Sequence, residues 1–193
     1  GLIDIGVSIY LSDPAWENCK MARMDGFPCY YGNPQSEHAE RYLPLTDISK
    51  VLGLSPNRLY NALGIQHFAH LIGEDKVFSL KSSDVHAKAN KDSATFLSRQ
   101  NLFAQDATFA RLSGMIAKGG KVSATRIADA FTWEDYLEVN KEAIPLFIWR
   151  QQKFIEPVQI GGEQKPEEGD SVIALQPPKM SILKESQVNQ AAT

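Results

Sequence analysis

The chain has 193 residues, 43% of them hydrophobic, with 20 Lys and Arg against 23 Asp and Glu. At roughly 100–200 residues per domain, that length allows one domain or two small ones. A formal net charge of -3 leaves no basic excess for wrapping nucleic acid or coating an anionic membrane. No apolar run approaches the ~18 residues of a transmembrane helix, and no basic-then-apolar signal peptide opens the chain. Two cysteines, Cys19 and Cys29, are too few for a disulfide scaffold and suit a reducing compartment. Composition therefore points to a soluble, intracellular region.

Gly6 before Val7-Ser8-Ile9-Tyr10-Leu11 reads as a helix C-cap glycine leading into a strand, so the chain is expected to open inside the last turn of a helix of a longer protein. The Val7–Leu11 strand stops at Ser12-Asp13-Pro14. Asp13 suits an N-cap and Pro14 the first helical position, predicting a helix over 14–25 that ends at Gly26. Phe27–Tyr31 is a short strand stopped by Gly32-Asn33, and the polar segment Ser36–Arg41 followed by Leu43–Asp47 reads as a second, shorter helix. Ile48–Leu54 is a third strand. Leu59, Ala62, Ile65, Ala69 and Ile72 then mark one face of a long helix closed by Gly73. Val77–Leu80 is the next strand, and this alternation predicts βαβ units with a parallel sheet.

Residues 81–98 are polar and read as a connector. Beyond them a helix from Thr108 is closed by Gly119-Gly120, Lys121–Ile127 alternates like a strand, and Thr132-Trp133-Glu134-Asp135 has the form of a capping box. Leu146–Trp149 and Phe154–Val158 flank Arg150–Lys153 as a hairpin, with Leu146, Ile148 and Phe154 assigned to its core. Phe147 and Trp149 then point to the opposite face. Ser171–Leu175 is a last strand in the same sheet, and 179–193 a loose tail.

A carboxylate at the end of the second strand of a βαβ sheet can accept the ribose hydroxyls of a dinucleotide. Asp13 holds that place if Val7–Leu11 is such a strand; otherwise it serves as a helix cap. No G-x-G-x-x-G phosphate loop occurs in the chain. His67 and His70 lie i, i+3 on the long helix, but no pattern completes a metal set around them. Ser36-Glu37-His38 are sequence neighbours and form no triad by themselves. Cys19 and Cys29 read as core residues, and Tyr30-Tyr31, Trp133 and Trp149 as packing residues. No catalytic set emerges, so the chain is read as a non-enzyme.

The succession Trp16-Glu17-Asn18, Gly26-Phe27-Pro28, Tyr30-Tyr31-Gly32-Asn33, Ser36-Glu37-His38, Leu54-Ser55-Pro56-Asn57 and Asn61-Ala62-Leu63 resembles the regulator-of-potassium-conductance (TrkA-N, KTN) type of Rossmann domain. The nearest likeness is to the version at the cytoplasmic C-terminus of NhaP-type monovalent cation:proton antiporters. Asp106–Phe109, Phe131–Tyr136, Pro145–Phe147 and Pro166–Asp170 resemble the module that follows it, and the likeness spans residues 2–177.

The resemblance implies an α/β fold: a Rossmann-like parallel sheet domain lacking its first strand over 1–82, a connector over 83–98, and a small α+β domain over 99–178. Its missing first strand and glycine loop would lie before Gly1, which predicts a homodimer or swapped sheet with the Val7–Leu11 and Ile48–Leu54 runs beside the gap. It implies a nucleotide-sensing or dimerising regulatory domain on the cytoplasmic face of the membrane, attached to its own chain's carrier domain. Carried over by position, Asp13 matches the ribose contact, Gly32 and Asn33 the pair bordering adenine, and Ser55 and Asn57 the loop facing phosphate. Asn33 replaces the usual acid of its pair. NAD(H) or an adenine nucleotide is the implied ligand of the longer parent, with none firmly expected in this region alone. A fragment of an NAD-dependent oxidoreductase and a ligand-free dimerisation module are the competing readings.

Overall fold

The computed structural model describes residues 2–81 and 101–178; the expected connector over 83–98 and the tail over 179–193 lie outside the described residues. The chain is mixed α/β, with two parallel sheets, one antiparallel sheet and several helices. It opens with a single 3-10 turn, Ile3–Ile5. Gly6 closes that turn at φ +82°, donating its N–H to the Ile3 carbonyl, as the C-cap reading expects.

Strand β1 (Leu11–Asp13) pairs in parallel with β2 (Cys29–Tyr31), Leu11 opposite Cys29 and Asp13 opposite Tyr31. The Val7–Leu11 expectation is corrected here. The ladder starts where the Leu11 N–H reaches the Pro28 carbonyl at 2.9 Å, so the strand falls later than its apolar run. Between β1 and β2 lies α1 (Trp16–Met24), two residues inside the expected start because Ala15 takes the extended cap conformation. Helix α2 (Glu37–Tyr42) follows, capped by Ser36, whose side chain accepts from the Ala39 N–H.

The second parallel sheet has the order β3 (Val51–Gly53), β4 (Val77–Leu80), β5 (Asn101–Leu102). The expected Ile48–Leu54 strand is thus reduced to its middle. β4 is central and buried at all four positions, which is why it carries no polar alternation beyond Ser79. Helix α3 (Arg58–Ile72) covers β3 and β4, and its Ile65 and Phe68 form a small core with Val77, flanked by Leu43, Leu45 and Val51. Among the described residues, β1 and β3 each pair with a neighbour on one side only.

The antiparallel sheet runs β6 (Lys121–Arg126), β9 (Ser171–Gln176), β7 (Ile144–Arg150), β8 (Phe154–Pro157), with α4 (Phe109–Ala117) before it and α5 (Trp133–Val139) after β6. Thr132 and Asp135 form the full capping box at the start of α5. β9 is buried over five consecutive residues because both of its faces are covered. Val172 and Ala174 meet Ile127 and Tyr136, while Ile173 joins the main core.

That main core unites the parallel and antiparallel parts: Phe78 and Leu80 of β4 pack with Leu102, Phe103, Ile144, Phe147 and Ile173. Phe147 and Phe103 meet edge to face, with ring centroids 5.6 Å apart. The hairpin core assignment needs one correction. Phe154 is 61% exposed, because it pairs with Arg150 and shares that residue's face, whereas Ile155 opposite Trp149 packs on the core.

Candidate functional site

Asp13 ends β1, and its carboxylate is already engaged. Oδ1 accepts the Ala15 N–H at 2.7 Å, and Oδ2 accepts the Asn18 Nδ2 at 3.0 Å. The expectation of Asp13 as N-cap and Pro14 as first helical residue is corrected: Ala15 is the N-cap, without a side-chain cap of its own, and Asp13 instead closes a turn just ahead of the helix. Each oxygen retains a further lone pair for a ligand hydroxyl.

Gly32 comes directly beneath it, donating its N–H to the Asp13 carbonyl at 3.1 Å. Its φ of +140° favours glycine, and an added Cβ would sit 3.3 Å from the Tyr30 ring. Asn33 is exposed, and its side chain turns back on its own loop: Oδ1 accepts the Gln35 N–H at 3.0 Å, and the Ser36 hydroxyl donates to its carbonyl at 2.9 Å.

Ser55 and Asn57 occupy the turn from β3 into α3. The Ser55 Oγ accepts the Asn57 N–H at 3.1 Å, and the Asn57 Oδ1 caps the helix through the Tyr60 N–H at 3.1 Å. Asn61 clamps the same turn. Its Oδ1 takes the Ser55 N–H at 2.9 Å and its Nδ2 donates to the Ser55 carbonyl at 2.8 Å, with the side chain buried. Gly53 lets α3 approach this closely, since a Cβ there would stand 3.2 Å from that of Asn61.

Tyr60 was not legible as a site residue, yet it ties these turns together. Burial raises its pKa, and the nearby Asp13 charge raises it further, against a lowering influence from Ser12. The hydroxyls of Ser12 and Tyr60 are buried, and neither completes a hydrogen bond of good geometry. Thus the structure joins Asp13 to Gly32 by a hydrogen bond and brings the first turn of α3 beside Asp13. The apolar spacing of α3 gave no sign of this, because Tyr60 precedes its buried face.

A separate recess of about 450 Å³ lies along β2, lined by aromatic side chains that include Trp16, Tyr30, Tyr31, His38 and Tyr42. None of the five matched residues lines it. Tyr30 accepts or donates at 2.8 Å to His38 Nδ1 and stands 3.3 Å from Ser36 Oγ, while His38 stacks on Tyr42 with centroids 4.3 Å apart. Tyr31 and Trp16 meet edge to face, and both are about half exposed, so the packing assignment of Tyr31 is corrected: it pairs on the surface rather than in the core. Trp133 does pack inward, stacked on Tyr136.

His67 Nε2 lies 3.3 Å from Glu40 Oε1, linking α3 to α2, and His70 is exposed. Among the described residues, no group of three or more His, Cys, Asp or Glu side chains gathers to hold a metal. Among them, too, no helix is long and apolar enough to cross a membrane. Cys19 and Cys29 are buried as expected, and the structure joins them in a disulfide, a pairing that their reading as core residues suited to a reducing compartment did not include. No protein-family model matches the chain, and no curated protein matches it.

Proposed function

We propose that this chain is a regulatory module, nucleotide-sensing or dimerising, on the cytoplasmic face of a membrane cation:proton antiporter. The observation that carries the reading is the strand arrangement: β2 beside β1, and β3-β4-β5, every pair parallel, with β1 and β3 each unpaired on one side among the described residues. A single parallel strand between β1 and β3 would give the order of a Rossmann sheet. Asp13 ends its strand, and Gly32, Asn33, Ser55 and Asn57 follow theirs, at the strand ends where such sheets take ligands.

In this reading a nucleotide would place its ribose on Asp13, and the module would work as a pair of copies. Phosphate recognition needs a backbone N–H cradle at a helix start, and the sequence has no glycine-rich loop to supply one. The chain alone should therefore bind NAD(H), ATP or AMP weakly. A ligand-free dimerisation scaffold is the second reading, favoured because Asp13, Asn33, Ser55 and Asn57 all hydrogen-bond within their own turns.

Calorimetry with NAD, NADH, ATP and AMP tests both, on this chain and on the chain extended at its N-terminus. Binding by the extended form, weakened by about 1–3 kcal/mol in Asp13→Ala, supports the sensor. Failure of both forms to bind supports the scaffold, and tight binding by the short form would move the site away from Asp13. Light scattering on the same samples reads the pairing; a monomer at high concentration would count against it.

A further inference from the structure

Cys19 and Cys29 are the chain's two cysteines, and their Cα atoms lie 5.4 Å apart, within the span that a disulfide bridges. The bridge runs from the middle of α1 to the first residue of β2. Its setting is unusual in one respect. Cys19, at 0% exposure, is the one buried side chain of α1, while Met21, Met24 and Trp16 of the same helix are exposed. Without the covalent link, α1 is held by Arg23, whose Nη2 and Nε donate to the Cys29 carbonyl at 2.7 and 3.2 Å, by the Asn18 bond to Asp13, and by the half-exposed edge-to-face contact of Trp16 with Tyr31.

We infer that Cys19 and Cys29 form a reversible dithiol–disulfide couple whose state decides how firmly α1 stays docked on β2. A helix with a single buried side chain opens locally at little cost, and that opening gives a small thiol or disulfide access to sulfurs that are otherwise enclosed. In the oxidising direction one cysteine thiolate attacks glutathione disulfide, forming a mixed disulfide and releasing one glutathione. The second cysteine then displaces the other glutathione. Two thiols lose two protons and two electrons, and glutathione disulfide takes them up as it becomes two molecules of glutathione. Reduction by glutathione reverses each step.

The consequence reaches beyond the bridge, because α1 begins at the turn that Asp13 organises through the Ala15 N–H. Oxidation fixes that turn; reduction loosens it. The couple stands on the placement of the two cysteines and does not depend on any nucleotide being bound.

The test equilibrates the 193-residue chain in glutathione buffers of graded oxidised-to-reduced ratio. Free thiols are counted by alkylation and mass spectrometry, and hydrogen exchange is followed over residues 14–26. The expected result is a reversible transition between two thiols and none, with exchange over that stretch roughly 10- to 100-fold faster in the dithiol form, as loss of a short-loop cross-link implies. Cys19→Ser should exchange like the reduced protein in every buffer. A bridge that survives excess reduced glutathione would overturn the couple, as would thiols that never pair. Equal exchange in the two states would overturn the docking role. Far-ultraviolet circular dichroism of the reduced chain checks that the rest stays folded; global unfolding on reduction would also overturn the proposal, making the bridge a structural staple.

Discussion

The antiparallel sheet and the two parallel sheets are built to different standards of self-sufficiency. Strands β6, β7 and β9 run six or seven residues, and β9 is paired along both edges. The parallel strands are two to four residues long, and β1 and β3 keep one side unpaired among the described residues. Each ladder residue fixed without a partner on the other side costs conformational entropy and returns half the hydrogen bonding. The antiparallel part therefore supplies more of the common stability, whereas the candidate site sits on the part that supplies least of it. Ligand and partner sites are drawn from such regions, because they must still be able to respond.

If the two parts were independent, an injury to their shared core would unfold one and spare the other. Phe147 belongs to β7 yet packs with Phe78 and Leu80 of β4 and edge to face on Phe103. Phe147→Ala should cost about 3–5 kcal/mol, the range for deleting a buried aromatic ring. We expect a single urea transition, shifted by the same amount whether read from Trp16 or from Trp149 fluorescence in single-tryptophan variants. Two separated transitions would show that the shared core does not couple the two parts.

The hairpin end sharpens it from the other direction. Arg150 leaves β7 to meet Glu156 at 2.8 Å and Asp170 at 2.8 Å, and Asp170 also accepts the Gln151 and Glu167 N–H groups at 2.9 Å. Burial works against ionising Asp170, which is 2% exposed, but these backbone bonds and the Arg150 charge prevail and hold its carboxyl below the usual range. A carboxyl depressed in the folded state stabilises above its unfolded pKa of about 3.9 and loses that contribution as pH falls through the folded value. Asp170→Asn should cost about 1.5–3 kcal/mol at neutral pH, with Glu156 still pairing Arg150. The gap between variant and parent melting temperatures should narrow below about pH 4 and close once the pH has fallen below the folded value. A gap that is constant from pH 7 to pH 2 would show that the carboxylate charge contributes nothing.

The same contrast explains what could be read from the residues. Element order was legible except for β5, a two-residue strand that no pattern announced, because turn chemistry and helical spacing punctuate it: Gly6, Ser36, Asn57, Gly73 and the Thr132 box all sit at element ends. Strand limits were not, since apolar runs such as 7–11 and 48–54 outlast the stretch that finds a ladder partner. Phe154 went astray because hydrophobicity alone does not set strand parity. The ion pair of Arg150 with Glu156 does, and it claims the face on which Phe154 lies. At the candidate site, Asp13 and Gly32 could be placed together from strand order. Tyr60 could not, because its approach to Ser12 and Asp13 depends on how α3 lies relative to β1. The Cys19–Cys29 bridge was equally hidden, since composition speaks to compartment and not to which buried side chains meet.

The smallest expected effects compare two side-chain helix caps, one in each part. Thr132 caps α5 by accepting the Asp135 N–H, while Asp135 accepts the Thr132 N–H at 2.8 Å and its hydroxyl at 2.7 Å. Asn57 caps α3 with no reciprocal partner at the third helical position, which is Tyr60. Either change to Ala should cost about 0.5–2 kcal/mol by leaving helix N–H groups unpaired. The costs should surface differently. α5 covers the core through Tyr136, whose phenol is pushed up to about 12 by burial, so Thr132→Ala should lower the global unfolding midpoint. It should also let the exposed Asp135 carboxyl rise part of the way to its usual range, since the backbone donor remains when the hydroxyl is gone. Carbon-13 titration of that carboxyl reads the change directly. In Asn57→Ala the loss should appear first as faster hydrogen exchange over 58–61, with the global midpoint moving less, because the turn is still clamped by Asn61. Equal midpoint shifts for the two variants would mean that α3 is coupled to the whole molecule as tightly as α5. The parallel part would then be no looser a platform for a ligand than the antiparallel one.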